Sequence, residues 1–478
     1  MTATMTLLAA LLVAQGGPAG APAPEQRAAP PTLTLGDAMK EAGQRNLDLR
    51  AAQARLEQSK QLHARAWSLY LPQVSAGATF THNNFSDVVV PLPAFTTVRT
   101  RTGAPGTPDN PTDPATNPIT GGALPGAPAG VFLFNQNVDV LIQKQYPLAA
   151  QIQATQPIFA PQAIYGIAAA RAGERLATDN VEQARQDILF GVTQAYYSAA
   201  GLKQVVAVNE RQLAIARDHE RDAKVRFDAG AAPKVTLLRA EIDRARAEQD
   251  LKRAQNSYLG AKVAISTLLD RREADFEVEV PPPPQVPGDQ AALKEGAARD
   301  RFDVLATGEQ VTVAQKNRDA TVATYLPTLG AFGRYQYSNA AGFTGETTTW
   351  AIGLALNWNL FDGGLREATL RENEARVAEA NAVREATLAR ARDEVLRTRL
   401  DLDSALANRL KAKEQVDLAR ENQRLVDVNY KAGAATYIEV SDANTALLNA
   451  ELSQVSEELN ADLAAVRLLK AAGAFTAR

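Results

Sequence analysis

Few residues of this 478-residue chain are of types that could carry covalent or metal chemistry. Cysteine is absent, which excludes disulfides, thiolate metal sites and a cysteine-linked lipid anchor. The three histidines, His63, His82 and His219, stand at no ligand spacing, and His219 reads as a solvated residue among Arg217, Asp218 and Glu220. No G-x-x-x-x-G-K-[ST] phosphate loop, nucleophile elbow or metal-ligand spacing occurs, and the carboxylates fall on solvated helix faces. No catalytic, cofactor-binding or metal site is therefore expected, and an enzyme has little support. Lys plus Arg number 51 against 54 Asp plus Glu, a formal net charge of -3 without basic runs, so nucleic acid is not an expected partner.

The elements carrying these residues are duplicated. Phe227-Asp228-Ala229-Gly230-Ala231-Ala232 recurs as Tyr430-Lys431-Ala432-Gly433-Ala434-Ala435, displaced by 203 residues. Ile158-Phe159 maps onto Leu360-Phe361 at a displacement of 202, and Tyr70-Leu71-Pro72 onto Tyr325-Leu326-Pro327 at 255. Each half reads helix, strand, loop, strand, long helix, turn, helix. Thr34 with Asp37 forms a capping-box start, and the helix it opens runs to about Leu69 before Pro72. Strands are expected at about 73–81, 148–159, 328–338 and 349–361. The clearest alternates Trp350, Ile352, Leu354, Leu356, Trp358 and Leu360 with small or polar residues. Its tryptophans lie roughly 26 Å apart at ~3.3 Å per residue. Tilted, that matches a lipid-facing band between aromatic girdles, although a soluble sandwich also packs Trp.

Residues 82–147 hold ten of the chain's 25 prolines and no period, and read as a long loop or a disordered linker. The runs Gln162–Asp228 and Leu365–Lys431 predict helices of roughly 100 Å at ~1.5 Å per residue. Gly230 and Gly433 end them as left-handed caps and form hairpin tips. The seam Leu448, Leu452, Val455, Leu459, Leu463 and Val466 predicts coiled-coil packing of the last helix. The resulting division is a signal peptide over 1–23, a first repeat over 24–270, a Pro-rich extended linker over 271–289, a second repeat over 290–473 and a tail over 474–478. The signal is expected from the apolar stretch Leu7–Ala14 and the small residues around Ala21-Pro22-Ala23.

Three stretches resemble signatures of the TolC outer-membrane efflux family. They are Leu33-Thr34-Leu35-Gly36-Asp37-Ala38 leading to Tyr70-Leu71-Pro72, Asn359-Leu360-Phe361-Asp362-Gly363-Gly364, and the two tip motifs at Arg226–Gly230 and Tyr430–Gly433. The resemblance spans Thr32 to Gly473. It implies a mainly α fold with a transmembrane β-barrel, in which a homotrimer shares twelve strands and an α-helical periplasmic tunnel. It further implies a bacterial outer-membrane location, a periplasmic adaptor and an inner-membrane RND or ABC transporter as partners, and outer-membrane lipid around Trp350 and Trp358. By position, Glu439 and Asp442 match the family's constriction, where three copies would set a cation-favouring ring with some carboxylate pKa values raised. The alternative is that both acids merely offset a helix N-terminal dipole. Tyr430 matches a position of inter-hairpin contact, and Arg239 is expected to pair with an acid of the neighbouring hairpin. The expected function is a passive export duct. A structural or adhesive coiled-coil envelope protein is the alternative.

Overall fold

The computed structural model describes residues 31–84, 87–100, 131–340 and 346–475; the expected signal peptide lies outside them. In chain order the first half contains β1 (Thr32–Leu33), α1 (Leu35–Arg45), α2 (Leu47–Ser68), β2 (Gln73–Phe80), β3 (Val88–Thr100), β4 (Val131–Gln143), β5 (Leu148–Phe159), α3 (Pro161–Asp228) and α4 (Lys234–Leu268). There follow β6 (Glu277–Val278), α5 (Gln290–Asp300), α6 (Phe302–Ala323), β7 (Thr328–Ser338), β8 (Thr348–Asn357), α7 (Leu365–Lys431) and α8 (Tyr437–Ala471). The described residues fall into two compact units. One lies within Met1–Ala52, Val181–Arg301 and Ala389–Arg478, the other within Gln53–Asn180 and Phe302–Leu388.

The second unit is organised by a four-stranded antiparallel sheet of order β2-β5-β7-β8. Its register puts the apolar set of every strand on one face, because Val74 pairs with Ala154, Ile152 with Tyr335, and Tyr335 with Trp350. That face is bare: Trp350, Ile352, Leu354 and Leu356 are 73%, 80%, 68% and 67% exposed. The opposite face carries Gln73, Gln151, Gln153, Arg334 and Gln336. On it Phe332 lies against Gly353, where a Cβ would come 3.0 Å from the ring, so the glycine lets the ring lie close without displacement. Helix contacts in this unit include Arg175–Glu309 at 2.9 Å and a buried bond from the Asn373 amide to the Thr321 hydroxyl at 2.8 Å.

Two expectations change here. The long loop contains an antiparallel hairpin, β3–β4, with register shifts near Val88 and Ala94. Pro91 and Pro93 lie within β3, and strand proline is compatible only with an outer edge, which is why no period betrayed it. The last strand stops at Asn357 rather than reaching 361. Its ladder partner begins only at Thr328, after Pro327, so Trp358 leaves the sheet and its indole donates to the Tyr325 carbonyl at 3.1 Å.

The first unit holds the main core. Tyr196, Phe276, Val278, Ile265 and Leu269 are fully buried together with Ala38 and Ala42 of α1. The 271–289 segment is therefore more than an extended linker. β6 pairs in parallel with β1, and the Tyr196 hydroxyl bridges the Leu33 and Glu279 carbonyls at 2.7 and 2.8 Å. Glu41 and Arg271 form a two-pronged ion pair, whose hydrogen bonds hold the Glu41 carboxyl below its usual range. The opening helix is broken at Asn46. Its carboxamide oxygen accepts from the Asp48 and Leu49 amides and its NH2 donates to Leu268, capping α2 afresh. α8 approaches α3 closely at Gly201, where a Cβ would lie 3.3 Å from Leu459.

Candidate functional site

Both hairpin tips close by the same chemistry. Gly230 and Gly433 sit at φ +73° and +79°, a region that side chains disfavour. In each, the following amide reaches back five residues, Ala231 to Arg226 and Ala434 to Asn429, at 2.8 Å. The glycine amides bond Phe227 and Tyr430, completing Schellman caps. The return helices start differently. Pro233 precedes α4 with no side-chain cap, whereas Thr436 and Glu439 form a full capping box on α8.

The tips meet around Tyr430, which is buried with Ala223, Ala240, Tyr437 and Val440. The Arg226 guanidinium lies 4.5 Å from the Tyr430 ring centre and also donates to its carbonyl at 3.4 Å. The Tyr430 and Tyr437 rings are 6.2 Å apart, edge to face. Asp243 of α4 accepts from the Tyr437 hydroxyl and the Ser441 hydroxyl, both at 3.0 Å. Burial and the neighbouring Asp243 push the Tyr437 hydroxyl well above its ordinary range, so it remains a donor.

The candidate acids part company. Glu439 is exposed, and its carboxylate accepts from the Thr436 backbone amide at 2.6 Å and from the Thr436 hydroxyl at 2.9 Å. These bonds hold its pKa below the usual value, opposite in direction to the rise expected of a crowded ring. In the single chain it acts as the helix cap. Asp442 is exposed and lines an open groove of about 290 Å³ with Arg239, Asp243, Arg246 and Tyr437. Among the described residues Arg239 makes no ion pair within its own chain, so the expected pairing is not made there. His219, read as solvated, is half-buried beside Asp243 and Tyr437 in an adjoining groove of about 300 Å³. Burial pushes its imidazole pKa down, which favours the neutral form.

Sequence reasoning missed Arg226, Asp243, Tyr437 and Ser441 as tip contacts. Asp243 and Tyr437 are 194 residues apart, and the duplication sets Ala446 and Lys234 at their matching positions, so neither local pattern nor repeat marks them. Among the described residues no group of three or more His, Asp or Glu could hold a metal ion. None of the described helices is long and apolar enough to cross a membrane.

The profile of the outer membrane efflux protein family matches residues 143–271 and 294–474. The outer membrane efflux protein BepC of Brucella suis is 25% identical over 336 residues, 68% of this chain and 72% of that one. The outer membrane protein TolC of Vibrio cholerae is 22% identical over 342 residues, 69% of this chain and 77% of that one. The fold resembles the crystal structure of the outer membrane protein VceC from Vibrio cholerae, with a TM-score of 0.68, 20% identity and coverage of 92% and 96% of the two chains. The bare apolar sheet face, the paired long hairpins and the profile match agree, and the chain belongs to the outer membrane efflux protein family, as a protein of the outer membrane.

Proposed function

We propose that three copies of the chain form a passive conduit through the outer membrane, serving a tripartite efflux or type I secretion assembly. A periplasmic adaptor would link it to an inner-membrane RND or ABC transporter, which would supply the energy. The observation carrying this is the sheet β2-β5-β7-β8. One whole face is apolar and uncovered, and β2 and β8 each have a single neighbour among the described residues. Lipid accepts the face but not the edges, whose backbone groups need partners. Pairing β8 of one copy with β2 of the next satisfies both, and three sets of four strands close a twelve-stranded barrel. Trp350 and Trp358 would then mark its two interfacial girdles.

Within this reading Asp442 is the acid free to line the periplasmic constriction, because Glu439 is committed to its cap. Arg239 would reach an acid of an adjacent hairpin and help hold the tip closed. The test is reconstitution of the purified mature protein. Heat-resistant trimers that conduct ions across a planar bilayer are the expected result. A water-soluble monomer, or a trimer without conductance, would remove the conduit.

A further inference from the structure

One pocket takes no part in the conduit proposed above. All four strands of the sheet join their helices at the same end, and the pocket lies there, between α2 and α3. α2 leads into β2 and α3 leaves β5, so Tyr70 and Ile164 stand beside the strands, while His63 and Arg171 stand farther out. The two helices are tied at both levels. Near the sheet the Tyr70 hydroxyl donates to the Ile158 carbonyl, and the Gln156 amide to the Tyr70 carbonyl, each at 2.9 Å. Farther out the His63 ring meets the Glu174 carboxylate at 2.6 Å. Between the ties lies a cavity of about 530 Å³, walled by Trp67, Tyr70, Ile164 and Ile167, with His63 and Arg171 at its far end. Cavities of this size hold small molecules.

The wall is graded. Trp67 and Ile164 are 50% and 51% exposed, and seven residues of α3, roughly 10 Å, separate Ile164 from Arg171. Arg171 is exposed and makes no ion pair among the described residues, whereas Glu174 is held by His63 and Arg175 by Glu309. The free charge at the far end is therefore one cation. Towards the sheet the exposed apolar residues run on through Leu71 and Ile158 to Val74 and Ile152 of the bare face.

The duplication shows that this opening belongs to the first half. At the displacements found in the sequence, Tyr70 corresponds to Tyr325, Ile164 to Arg366 and Arg171 to Asn373. There Arg366 covers the ring, its guanidinium 4.7 Å from the Tyr325 centre and paired with Asp362 at 2.9 Å. Asn373 turns inward to Thr321. The first half has Ala160 for Asp362 and Ala66 for Thr321, so both plugs are missing and a cation is left over.

We infer that this pocket binds one anionic glycerophospholipid per chain, drawn from the leaflet on the helical side of the sheet. An acyl chain lies along Trp67, Tyr70, Ile164 and Ile167, and the phosphodiester meets the Arg171 guanidinium. Guanidinium matches phosphate in charge and in paired hydrogen-bond geometry. A lipid whose phosphate is already offset by its own ammonium gains less there, which sets the preference for a net anionic head. The inference rests on the lipid-embedded sheet proposed above and adds a specific lipid to it.

The chain's three tryptophans supply the test. Trp350→Phe with Trp358→Phe leaves Trp67 as the sole tryptophan, and Trp67→Phe with Trp358→Phe leaves Trp350 to report on bulk lipid. Each full-length protein is reconstituted in phosphatidylcholine vesicles carrying the same minor fraction of brominated lipid, either phosphatidylglycerol or phosphatidylcholine. Bromine quenches indole fluorescence on near contact. Trp350 should be quenched equally by both. Trp67 should be quenched about fivefold more effectively by the phosphatidylglycerol, as expected for one cation beside an anionic lipid. Arg171→Gln should remove that preference, and Arg175→Gln, which deletes the same charge from a guanidinium already paired, should keep it. Ala168→Phe, which fills the cavity without changing charge, should abolish the excess quenching. Equal quenching of Trp67 by both lipids, an effect of Arg175→Gln as large as that of Arg171→Gln, or no effect of Ala168→Phe overturns the site. Trp67 unquenched beside a quenched Trp350 also overturns it and leaves the sheet in lipid, the pocket then being filled by the next copy or opening on the channel. If neither tryptophan is quenched, the membrane reading of the sheet falls as well.

Discussion

Replacing Leu354 with lysine is the sharpest probe of the sheet. Leu354 lies four residues after Trp350, on its face of β8, and four before Trp358, which stands just beyond the strand end, and is 68% exposed. At ~3.3 Å per residue each tryptophan is about 13 Å away, so Leu354 belongs near the middle of the proposed lipid band. A lysine at the midplane of a barrel's lipid face costs about 2–4 kcal/mol, or about 6–12 kcal/mol over three symmetric copies. Ala355, its neighbour, points to the opposite face, where a lysine meets water and should cost under about 1 kcal/mol. The assay is urea-dependent folding into lipid vesicles, read as the fraction of heat-resistant trimer. Leu354→Lys should lose most of that fraction while Ala355→Lys keeps it. Equal losses, or a tolerated Leu354→Lys, would refute the assignment of faces and with it the membrane role of the sheet.

Three further outcomes follow from the helical unit. Arg226→Ala removes the stacking on Tyr430, a loss of about 1–2 kcal/mol and roughly five- to thirtyfold in the open population per copy; single-channel open probability should rise, with Arg226→Lys intermediate. Burial beside Glu458 raises the Asp462 pKa to about 6, against which Arg409 acts. The folded-state value exceeds the ordinary 3.8, so the charged form destabilises above about 6 and the effect is gone below 3.8. Asp462→Asn should therefore raise the melting temperature at pH 8, by an amount that shrinks through pH 6 and vanishes under 3.8. Thr436→Ala breaks the capping box at a cost of about 1 kcal/mol, and amide exchange should speed up in the first turn of α8 while the start of α4 is unchanged.

The fold class was legible because it is written as periodicity. Alternation around Trp350 and the unbroken runs before Gly230 and Gly433 identify strands and long helices without knowledge of their neighbours. What stayed hidden depends on partners distant in sequence. Asn46 breaks a helix by capping α2 and bonding Leu268, 222 residues away. Phe276 and Val278 look like linker residues beside four prolines, yet they are buried because β1 pairs there. The β3–β4 hairpin escaped notice because its prolines erase the pattern that marks a strand. At the tips the glycines were plain, whereas Asp243 resembled any other helix-face acid.

The contact of Arg226 with Tyr430 has a consequence for symmetry. The residue standing in the second half where Arg226 stands in the first is Asn429, and the counterpart of Tyr430 is Phe227. An amide over a phenyl ring cannot reproduce a guanidinium over a phenol, so the embrace runs one way. The proposed ring of three chains would hold six hairpins of nearly equal shape but only threefold equivalence. Every second junction would carry this clasp and the ones between would lack it, so loosening would begin at alternate seams rather than all around the rim.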